Sequence, residues 1–324
     1  MCQVEEDYRD ELESVDVPSI SKKCVKCKEA SAAVVIRAGD AYCRVCFKEY
    51  FIHKFRAMLG KNRLIFPGEK VLLAVSGGPS SCSMLNQVKE GLSQNAHKKL
   101  RFRPGIIYID EGGAVGQSVE ERRRTVAELQ GVFRATGFLF YVVPLEQVSE
   151  YALTVTDSTL CCLHRQHLLV HTARTEGYSK LMLGDNCTRL AVKLLTSISL
   201  GRGAQLAQDT GFSDSRYGDI ISVRPMRDYS AKEIAYYNHL FNVPSVFIPS
   251  LDTKTADKAS VQRLTESFVI KLQADFPSTV STIYRTGEKL QTARLSSSTA
   301  DHCDRCLLCM CALDTAVGEC CCNL

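Results

Sequence analysis

The sequence predicts a doubly wound α/β fold in which a five-stranded parallel sheet carries helices on both faces. Five nearly continuous apolar runs lie between residues 70 and 250, and helical patterns separate them. Such runs are typical of parallel strands that are buried on both faces. Right-handed crossovers then place a ligand site at the carboxyl ends of the strands.

The predicted strands and helices alternate along the chain. The strands are VLLAVS (71–76), GIIYID (105–110), FLFYVVPL (138–145), KLMLGD (180–185) and IISVRP (220–225). The helical patterns cover residues 81–93, 117–136, 161–177, 187–200 and 230–241.

Changes in composition divide the chain into four regions. Residues 1–20 are rich in acidic side chains and predict a disordered tail. Residues 21–60 hold two cysteine pairs and a helix, 47–59, whose apolar face is expected to join this module to the main body. Residues 61–250 form the predicted α/β domain, and residues 251–324 combine a helical segment with a cysteine-rich tail.

Length and composition exclude several classes of protein. The 324 residues suffice for one sizeable core, and 45% of them are hydrophobic. A net charge of +4 permits contact with nucleic acid without requiring it. No apolar run approaches the length of a membrane span, and the acidic start is unlike a signal peptide. We therefore expect a cytosolic or nuclear protein, in which paired cysteines indicate metal rather than disulfides.

Two cysteine pairs predict an N-terminal zinc ribbon. Cys24-x-x-Cys27 and Cys43-x-x-Cys46 are separated by fifteen residues. Each pair belongs on a tight turn, and four thiolates at this spacing surround one Zn²⁺ tetrahedrally. A closed site of this kind is structural, so the metal supports folding. The alternative is four ordinary buried thiols.

The first strand of the predicted sheet runs into a glycine-containing turn and then a helix. Its residues are Ser76, Gly77, Gly78, Pro79, Ser80 and Ser81. Two glycines allow close approach of an anion to the backbone, and the helix N-terminus supplies free N–H groups. The alternative is a plain strand-to-helix turn, since glycine and proline are common there.

Taken together, these motifs resemble the PP-loop ATP pyrophosphatases, whose fold is adenine nucleotide alpha hydrolase-like. The match is closest to the TtuA-like tRNA thiolases. It is carried by the ribbon, the SGGxxS loop (76–81), YIDEG (108–112), Cys161-x-x-x-Arg165 and LMLGDN (181–186).

The resemblance implies a reaction and a set of nucleotide contacts. The family adenylates a tRNA uridine with ATP and transfers sulfur from a thiocarboxylated ubiquitin-like carrier. The product is 2-thiouridine at the wobble position, U34, of tRNAs for Lys, Glu and Gln. Asp110 ends a strand where the family touches the nucleotide, although a solvated acid is the plain alternative. The implied contacts are Ser76, Gly77, Gly78, Ser80, Ser81, Asp110, Gly184 and Asp185.

Several positions depart from the catalytic pattern. Ser80 stands where catalytic members carry Asp, and GDNCTR (184–189) lacks their His and acidic pair. Their three sulfur ligands correspond here to Ser158, Cys161 and Val223, and one thiolate cannot hold a cluster. Mg²⁺ also lacks its usual carboxylates. We therefore expect no iron–sulfur cluster. We also expect that the chemistry with ATP–Mg²⁺ and with sulfur is lost or severely impaired.

Three functional hypotheses follow. The resemblance favours a subunit that binds tRNA and supports a catalytic paralogue, cytoplasmic tRNA 2-thiolation protein 1, which receives the sulfur. A second hypothesis is an independent ATP-dependent tRNA sulfurtransferase with Cys161 as nucleophile. A third is a zinc-ribbon adaptor for RNA or protein without a role in thiolation.

A second cluster of cysteines lies near the C-terminus. Its spacing resembles the start of the family's C-terminal zinc module, and Cys320 to Cys322 are candidates to complete it. A shortened chain with an odd tail is the alternative. The cysteines of this motif are Cys303, Cys306, Cys309 and Cys311.

Overall fold

The described part of the chain is an α/β protein with a small two-stranded module ahead of its main sheet. The computed structural model describes residues 22–36, 39–96, 98–148, 158–248 and 260–287, together with 289, 306 and 310. The strands are β1 (Val34–Val35), β2 (Ala41–Tyr42), β3 (Lys70–Ala74), β4 (Arg103–Asp110), β5 (Leu139–Pro144), β6 (Lys180–Leu183), β7 (Ser213–Tyr217) and β8 (Ile220–Val223).

Helices flank both faces of the main sheet, and short 3-10 turns occur at Leu145–Val148 and Gly203–Gln205. None of the helices in the described ranges is both long and apolar enough to cross a membrane. The helices are α1 (Arg44–Asn62), α2 (Pro79–Leu92), α3 (Val119–Arg134), α4 (Ser158–Thr175), α5 (Cys187–Ser199), α6 (Leu206–Thr210), α7 (Ala231–Phe241), α8 (Val261–Asp275) and α9 (Pro277–Gly287).

The main sheet has the strand order β5-β4-β3-β6-β8-β7. The five predicted strands are all present and run parallel to one another, which confirms the predicted doubly wound arrangement. The chain winds outward from β3 through β4 to β5, and then returns to place β6 on the other side of β3. This reversal opens a crevice at the carboxyl ends of β3 and β6, where α/β proteins of this kind bind ligands.

A sixth strand, β7, extends the sheet at its edge and pairs antiparallel with β8. Its sequence, SDSRY, has neither an apolar run nor apolar alternation, so it gave no signal of a strand. Asp214 and Arg216 are nevertheless buried within it and pair with each other at 2.9 Å. Ionic pairing therefore replaces apolar burial in this strand.

The two faces of the sheet pack against different helices. Along β3, Val71 and Leu73 join the core cluster that includes residues of α1, α2 and α3, whereas Leu72 joins the cluster covered by α4. This alternation is the two-residue period of a strand buried on both sides.

Helix α1 connects the two-stranded module to the main core, as its apolar face predicts. Phe47, Phe51 and Phe55 are almost completely buried. The ring of Phe51 stacks on Tyr237 with centroids 3.9 Å apart, and the hydroxyl of Tyr229 donates to the Phe51 carbonyl at 2.5 Å. The module is thereby fixed against α7 and the segment before it.

Helices α8 and α9 pack on α5 around a separate cluster that contains Leu190, Val269 and Tyr284. The Thr188 hydroxyl donates to Gln273 Oε1 at 3.0 Å. The start of α5 therefore lies against the end of α8.

Candidate functional site at the carboxyl edge of the sheet

The loop between β3 and α2 has the backbone geometry that its glycines predict. Gly77 has φ +87°, a conformation that favours glycine. A Cβ added there would lie 2.9 Å from both Leu129 Cδ2 and Ile248 Cδ1. Pro79 occupies the first turn of α2, and Gly78 caps the helix without a side-chain hydrogen bond. The helix N-terminus thus lies at the crevice, as the sequence predicts.

Ser80, which the resemblance matches to an aspartate of catalytic members, is buried and hydrogen bonded. Its hydroxyl donates to the Gly184 carbonyl at 2.5 Å. Gly184 packs so closely that an added Cβ would lie 2.9 Å from Ser81 Cα. The hydrogen bond from Ser80 therefore joins the start of α2 to the residue that follows β6. A side chain at position 80 must donate a hydrogen to make this bond.

The remaining loop hydroxyls differ in exposure. Ser76 is exposed, whereas Ser81 is buried and donates to the Gly78 carbonyl at 3.0 Å. The two hydroxyl oxygens lie 3.3 Å apart. The loop therefore keeps one exposed hydroxyl beside the N-terminus of α2.

Two acidic side chains at the end of β4 are neutralised by arginines of the same chain. Asp110 Oδ2 accepts from Arg122 Nε at 3.0 Å and from Nη2 at 2.9 Å, a bidentate pair. Asp110 Oδ1 accepts from the Gly112 N–H at 2.9 Å. Glu111 Oε1 accepts from Arg165 Nη1 at 3.0 Å. These hydrogen bonds compensate the charge of both carboxylates and use several of their acceptor positions, which weakens them as ligands for a metal ion.

A third carboxylate, Asp185, follows β6 and is also matched by arginines. Its Oδ2 accepts from Arg224 Nε at 3.3 Å, and its Oδ1 lies 3.9 Å from Arg189 Nε. Burial acts to raise the pKa of Asp185, but Arg189 and Arg224 outweigh it and hold the pKa below its ordinary value. Asp185 is therefore a charged member of an ionic network that continues to β7.

Cys161 and Val223, two of the positions that the resemblance matches to sulfur ligands of catalytic members, lie on opposite faces of the sheet. Cys161 is half-buried on α4 and packs against the cluster on that side of the sheet. Val223 belongs to the cluster on the opposite face. Ser222, one residue earlier in β8, faces the α4 side and is fully buried. The backbone of Ser158 begins α4, and its side chain lies outside the described residues.

The register decides which residue of β8 lies on the α4 side of the sheet. Val223 does not, because side chains alternate along a strand and Val223 packs on the other face. Ser222 does, and its hydroxyl cannot replace a soft thiolate ligand. On either assignment, β8 offers no thiolate beside Cys161.

The four cysteines of the N-terminal module come together in space. Their sulfur atoms all lie within 4.8 Å of one another, with Cys27 Sγ and Cys43 Sγ 4.0 Å apart. Tetrahedral Zn–S bonds of about 2.3 Å place sulfurs roughly 3.8 Å apart, so the cluster fits such an ion closely. Cys43 also caps α1, because its sulfur accepts from the Cys46 N–H at 3.5 Å.

The pKa values of these thiols diverge. Burial raises the pKa of Cys24, but backbone N–H donors from Cys27, Cys43 and Lys26 outweigh it and lower the pKa to about 6. Burial and the neighbouring thiols raise the pKa of Cys46 to about 12. Like charges this close do not all ionise at neutral pH unless a cation compensates them. The cluster therefore has the chemistry of a metal centre.

The C-terminal cysteines cannot be assembled into a second centre from the described residues. Cys306 is half-buried, and the Met310 N–H donates to its carbonyl at 2.7 Å. Cys303, Cys309 and Cys311 lie outside the described residues, as do the acidic tail (1–20) and Cys320 to Cys322.

Comparison with known sequences identifies the family. A family model described as cytoplasmic tRNA 2-thiolation protein 2 matches residues 260–320. The protein of that name from Danio rerio is 52% identical across 98% of this chain and 78% of its own length. The Homo sapiens protein is 49% identical with the same coverage. The chain belongs to the cytoplasmic tRNA 2-thiolation protein 2 family.

A solved structure supports the fold of this family member. The U34-tRNA thiolase NcsA from Methanococcus maripaludis, determined with its [4Fe-4S] cluster, superposes with a TM-score of 0.69 at 19% identity. The superposition covers 84% of this chain and 87% of NcsA. The fold is therefore α/β and adenine nucleotide alpha hydrolase-like, with a mostly parallel sheet.

The sequence alone did not indicate that Arg122 and Arg224 pair with the carboxylates at the carboxyl ends of the strands. Arg122 belongs to a run of three arginines, a pattern that usually indicates a solvated helix face. Arg224 directly follows β8, and its guanidinium is almost fully buried. Only the position of Arg224 could have indicated its role. A basic residue that directly follows an interior parallel strand lies at the sheet edge where such folds bind ligands.

Proposed function

We propose that this chain is a tRNA-binding, catalytically degenerate subunit of the cytoplasmic enzyme that thiolates wobble uridine U34 in tRNAs for Lys, Glu and Gln. The catalytic partner is its paralogue, cytoplasmic tRNA 2-thiolation protein 1. That paralogue activates the uridine with ATP and receives sulfur from a thiocarboxylated ubiquitin-like carrier. The curated relatives carry the word cytoplasmic in their name, which supports the same location here.

One observation carries the degenerate assignment. The acidic side chains at the sheet's carboxyl edge, Asp110, Glu111 and Asp185, are each hydrogen bonded to an arginine of this chain. Mg²⁺ bound to a nucleotide needs carboxylate oxygens close to the phosphates. Carboxylates that are already neutralised by hydrogen-bonded arginines offer weak ligands, and Ser80 supplies a hydroxyl donor in place of another carboxylate.

The anion-binding part of the site is retained in this proposal. Gly77, Gly78 and the N-terminus of α2 keep the geometry that suits a phosphate. The fold thus supports binding of a phosphate group while lacking the groups that activate one. Contact with tRNA phosphates should weaken steeply as salt is added.

The cysteine cluster of the N-terminal module is proposed to hold Zn²⁺. Four sulfur donors within 4.8 Å match the tetrahedral preference of zinc, and a set of four protein ligands leaves no open position for chemistry. Zinc at Cys24, Cys27, Cys43 and Cys46 would stabilise the start of α1 and hence its contact with the main core. A second zinc at the C-terminal motif remains a proposal from its spacing.

An independent sulfurtransferase is the second candidate, because Cys161 lies on α4 one turn before Arg165, which reaches Glu111 at the end of β4. Its weakness is the surrounding chemistry. Cys161 packs among apolar residues, and Val223 faces the other side of the sheet. The adaptor hypothesis, without any role in thiolation, is disfavoured by the family to which the chain belongs.

The decisive test is wobble-uridine thiolation in cells that lack this protein. Mass spectrometry of purified tRNA for Lys, Glu and Gln should show loss of 2-thiouridine, and re-expression of the wild-type chain should restore it. Normal 2-thiouridine in the deletion strain would reject the proposal. Restoration by a Ser80→Ala variant would further support a role that is not catalytic.

A further inference from the structure

A cluster of positive charge lies at the amino ends of β3 and β4, at the edge of the sheet opposite to the crevice. Lys98, Lys99 and Arg101 precede β4, and Arg103 begins it. Lys70 begins β3 and pairs with Arg103 in the parallel register. All five side chains are exposed. Neighbouring strands lie about 4.8 Å apart, so Lys70 and Arg103 present two like charges side by side.

The turn before β3 is fixed to the same segment by backbone hydrogen bonds. The Gly68 N–H donates to the Arg101 carbonyl at 2.6 Å, and the Arg103 N–H donates to the Glu69 carbonyl at 2.8 Å. Phe66, two residues before Gly68, is 62% exposed. An exposed aromatic ring therefore belongs to the same surface as the cations. The residues of this surface, the amino-edge patch, are Phe66, Lys70, Lys98, Lys99, Arg101 and Arg103.

The acidic side chains next to the amino-edge patch are engaged with other groups. Glu69 pairs with Lys180 at 3.0 Å. The Glu176 carboxylate accepts from the Tyr141 hydroxyl at 3.0 Å, whereas its backbone carbonyl accepts from Lys70 Nζ at 3.3 Å. The other four cations of the patch form no ion pair with any residue that the structure describes. Their charge is therefore available to a ligand from outside the described part of the chain.

The carboxyl edge of the sheet differs in this respect. Its arginines, Arg122, Arg165 and Arg224, are each hydrogen bonded to a carboxylate of the same chain. Strand β4 spans eight residues from one edge to the other. At about 3.3 Å per residue, its two ends lie about 23 Å apart. The amino-edge patch is thus a separate surface, and a ligand held there does not occupy the crevice.

We propose that the amino-edge patch binds the sugar–phosphate backbone of tRNA and that Phe66 stacks on an unpaired base beside it. This inference deepens the proposed function and rests on it for the identity of the RNA. Cations without protein partners neutralise successive phosphates and release condensed counterions. An exposed aromatic ring beside them suits unstacked bases, which an acidic peptide or a lipid headgroup lacks. Because phosphate contacts carry no sequence information, this surface holds any tRNA, and the choice of U34 is made elsewhere.

The test compares two double variants of the full chain by fluorescence anisotropy of a labelled tRNA transcript over a range of KCl concentrations. Lys99→Gln with Arg101→Gln removes two cations of the patch. The matched control, Lys271→Gln with Arg124→Gln, removes an exposed lysine and an exposed arginine on α8 and α3. At about 100 mM KCl the patch variant should bind about tenfold more weakly, with a salt slope smaller by about two, and the control within about twofold of wild type. A tRNA without U34 should show the same loss. Phe66→Ala, which keeps every charge, should bind about fivefold more weakly with an unchanged salt slope.

Four results would count against this surface. Equal tRNA binding by the wild type and the patch variant would overturn the inference and leave the proposed function intact, because tRNA would then be held elsewhere. A wild-type chain that binds no tRNA, alone or with the paralogue, would overturn both. Weaker binding of the patch variant to the paralogue, at unchanged tRNA affinity, would assign the patch to a protein partner and reject the inference. Full affinity of Phe66→Ala would overturn the stacking contact.

Discussion

Replacing Ser80 with the aspartate of the catalytic enzymes should damage this chain rather than repair it. The Ser80 hydroxyl donates to the Gly184 carbonyl at 2.5 Å in a buried position. An ionised carboxylate cannot donate, so the hydrogen bond is lost and the carbonyl is left unsatisfied. These losses, together with burial of the carboxylate's charge, cost about 2–4 kcal/mol at pH 7. Ser80→Ala, which lacks the new charge, should cost roughly 1–3 kcal/mol.

The dependence on pH separates the two variants. Burial raises the pKa of an introduced carboxyl in the folded state above its unfolded value of about 4. The penalty of the charge therefore grows as the pH rises above about 4, and each unit of pKa elevation is worth about 1.4 kcal/mol. Below that pH the protonated carboxyl can donate to Gly184, and Ser80→Asp should be no less stable than Ser80→Ala.

Urea denaturation followed by far-UV circular dichroism at pH 4 and pH 7 measures both variants, and equilibrium dialysis measures ATP–Mg²⁺ binding. Ser80→Asp should not gain ATP–Mg²⁺ binding, because the carboxylates of the crevice remain paired with arginines. A Ser80→Asp chain that is as stable as wild type at pH 7 and binds ATP–Mg²⁺ would refute this reasoning.

Three further predictions concern the metal centre, the ionic network and the single thiol of the sulfur positions. Cys24→Ser should lower the zinc content by one ion per chain and reduce the melting temperature, whereas Cys162→Ser, at an exposed position, should change neither. Equal zinc contents of the wild type and both variants in plasma mass spectrometry would contradict this prediction. Asp185→Asn should cost about 1–3 kcal/mol at pH 7, because the depressed pKa of Asp185 marks a stabilising carboxylate. That difference should shrink as the pH falls below about 4 through the folded pKa, and a pH-independent difference in urea denaturation would exclude the ionic explanation. Cys161→Ser should leave thiolation by the assembled complex nearly intact, and its loss in a complex that still assembles and binds tRNA would establish the sulfurtransferase hypothesis instead.

Most of the sheet could be predicted because apolar runs report directly on parallel strands buried on both faces. The apolar face of α1 and the meeting of the four cysteines likewise follow from spacing. The edge strand β7 could not be predicted, since its stability comes from Asp214 and Arg216 and their charged neighbours rather than from apolar burial.

The hydrogen bonds and ion pairs at the carboxyl ends of the strands also could not be predicted from the sequence. The substitution at Ser80 is visible in the sequence, but its hydrogen bond to Gly184 joins residues 104 positions apart. The pairing of Asp110 with Arg122 depends on how α3 approaches the end of β4. Alternation along β8, which turns Val223 away from Cys161, becomes certain only when the strand's register is known.

We propose that this chain lacks adenylation chemistry of its own and depends on a catalytic paralogue. ATP–pyrophosphate exchange in the presence of tRNA tests it most directly, on the isolated chain, on the isolated paralogue and on their complex. We expect no exchange above background for the isolated chain. We also expect exchange by the complex, and this exchange should disappear when the catalytic loop of the paralogue is inactivated. Exchange by the isolated chain that is abolished by substitutions at Gly77 and Gly78 would show that this chain is itself an adenylating enzyme.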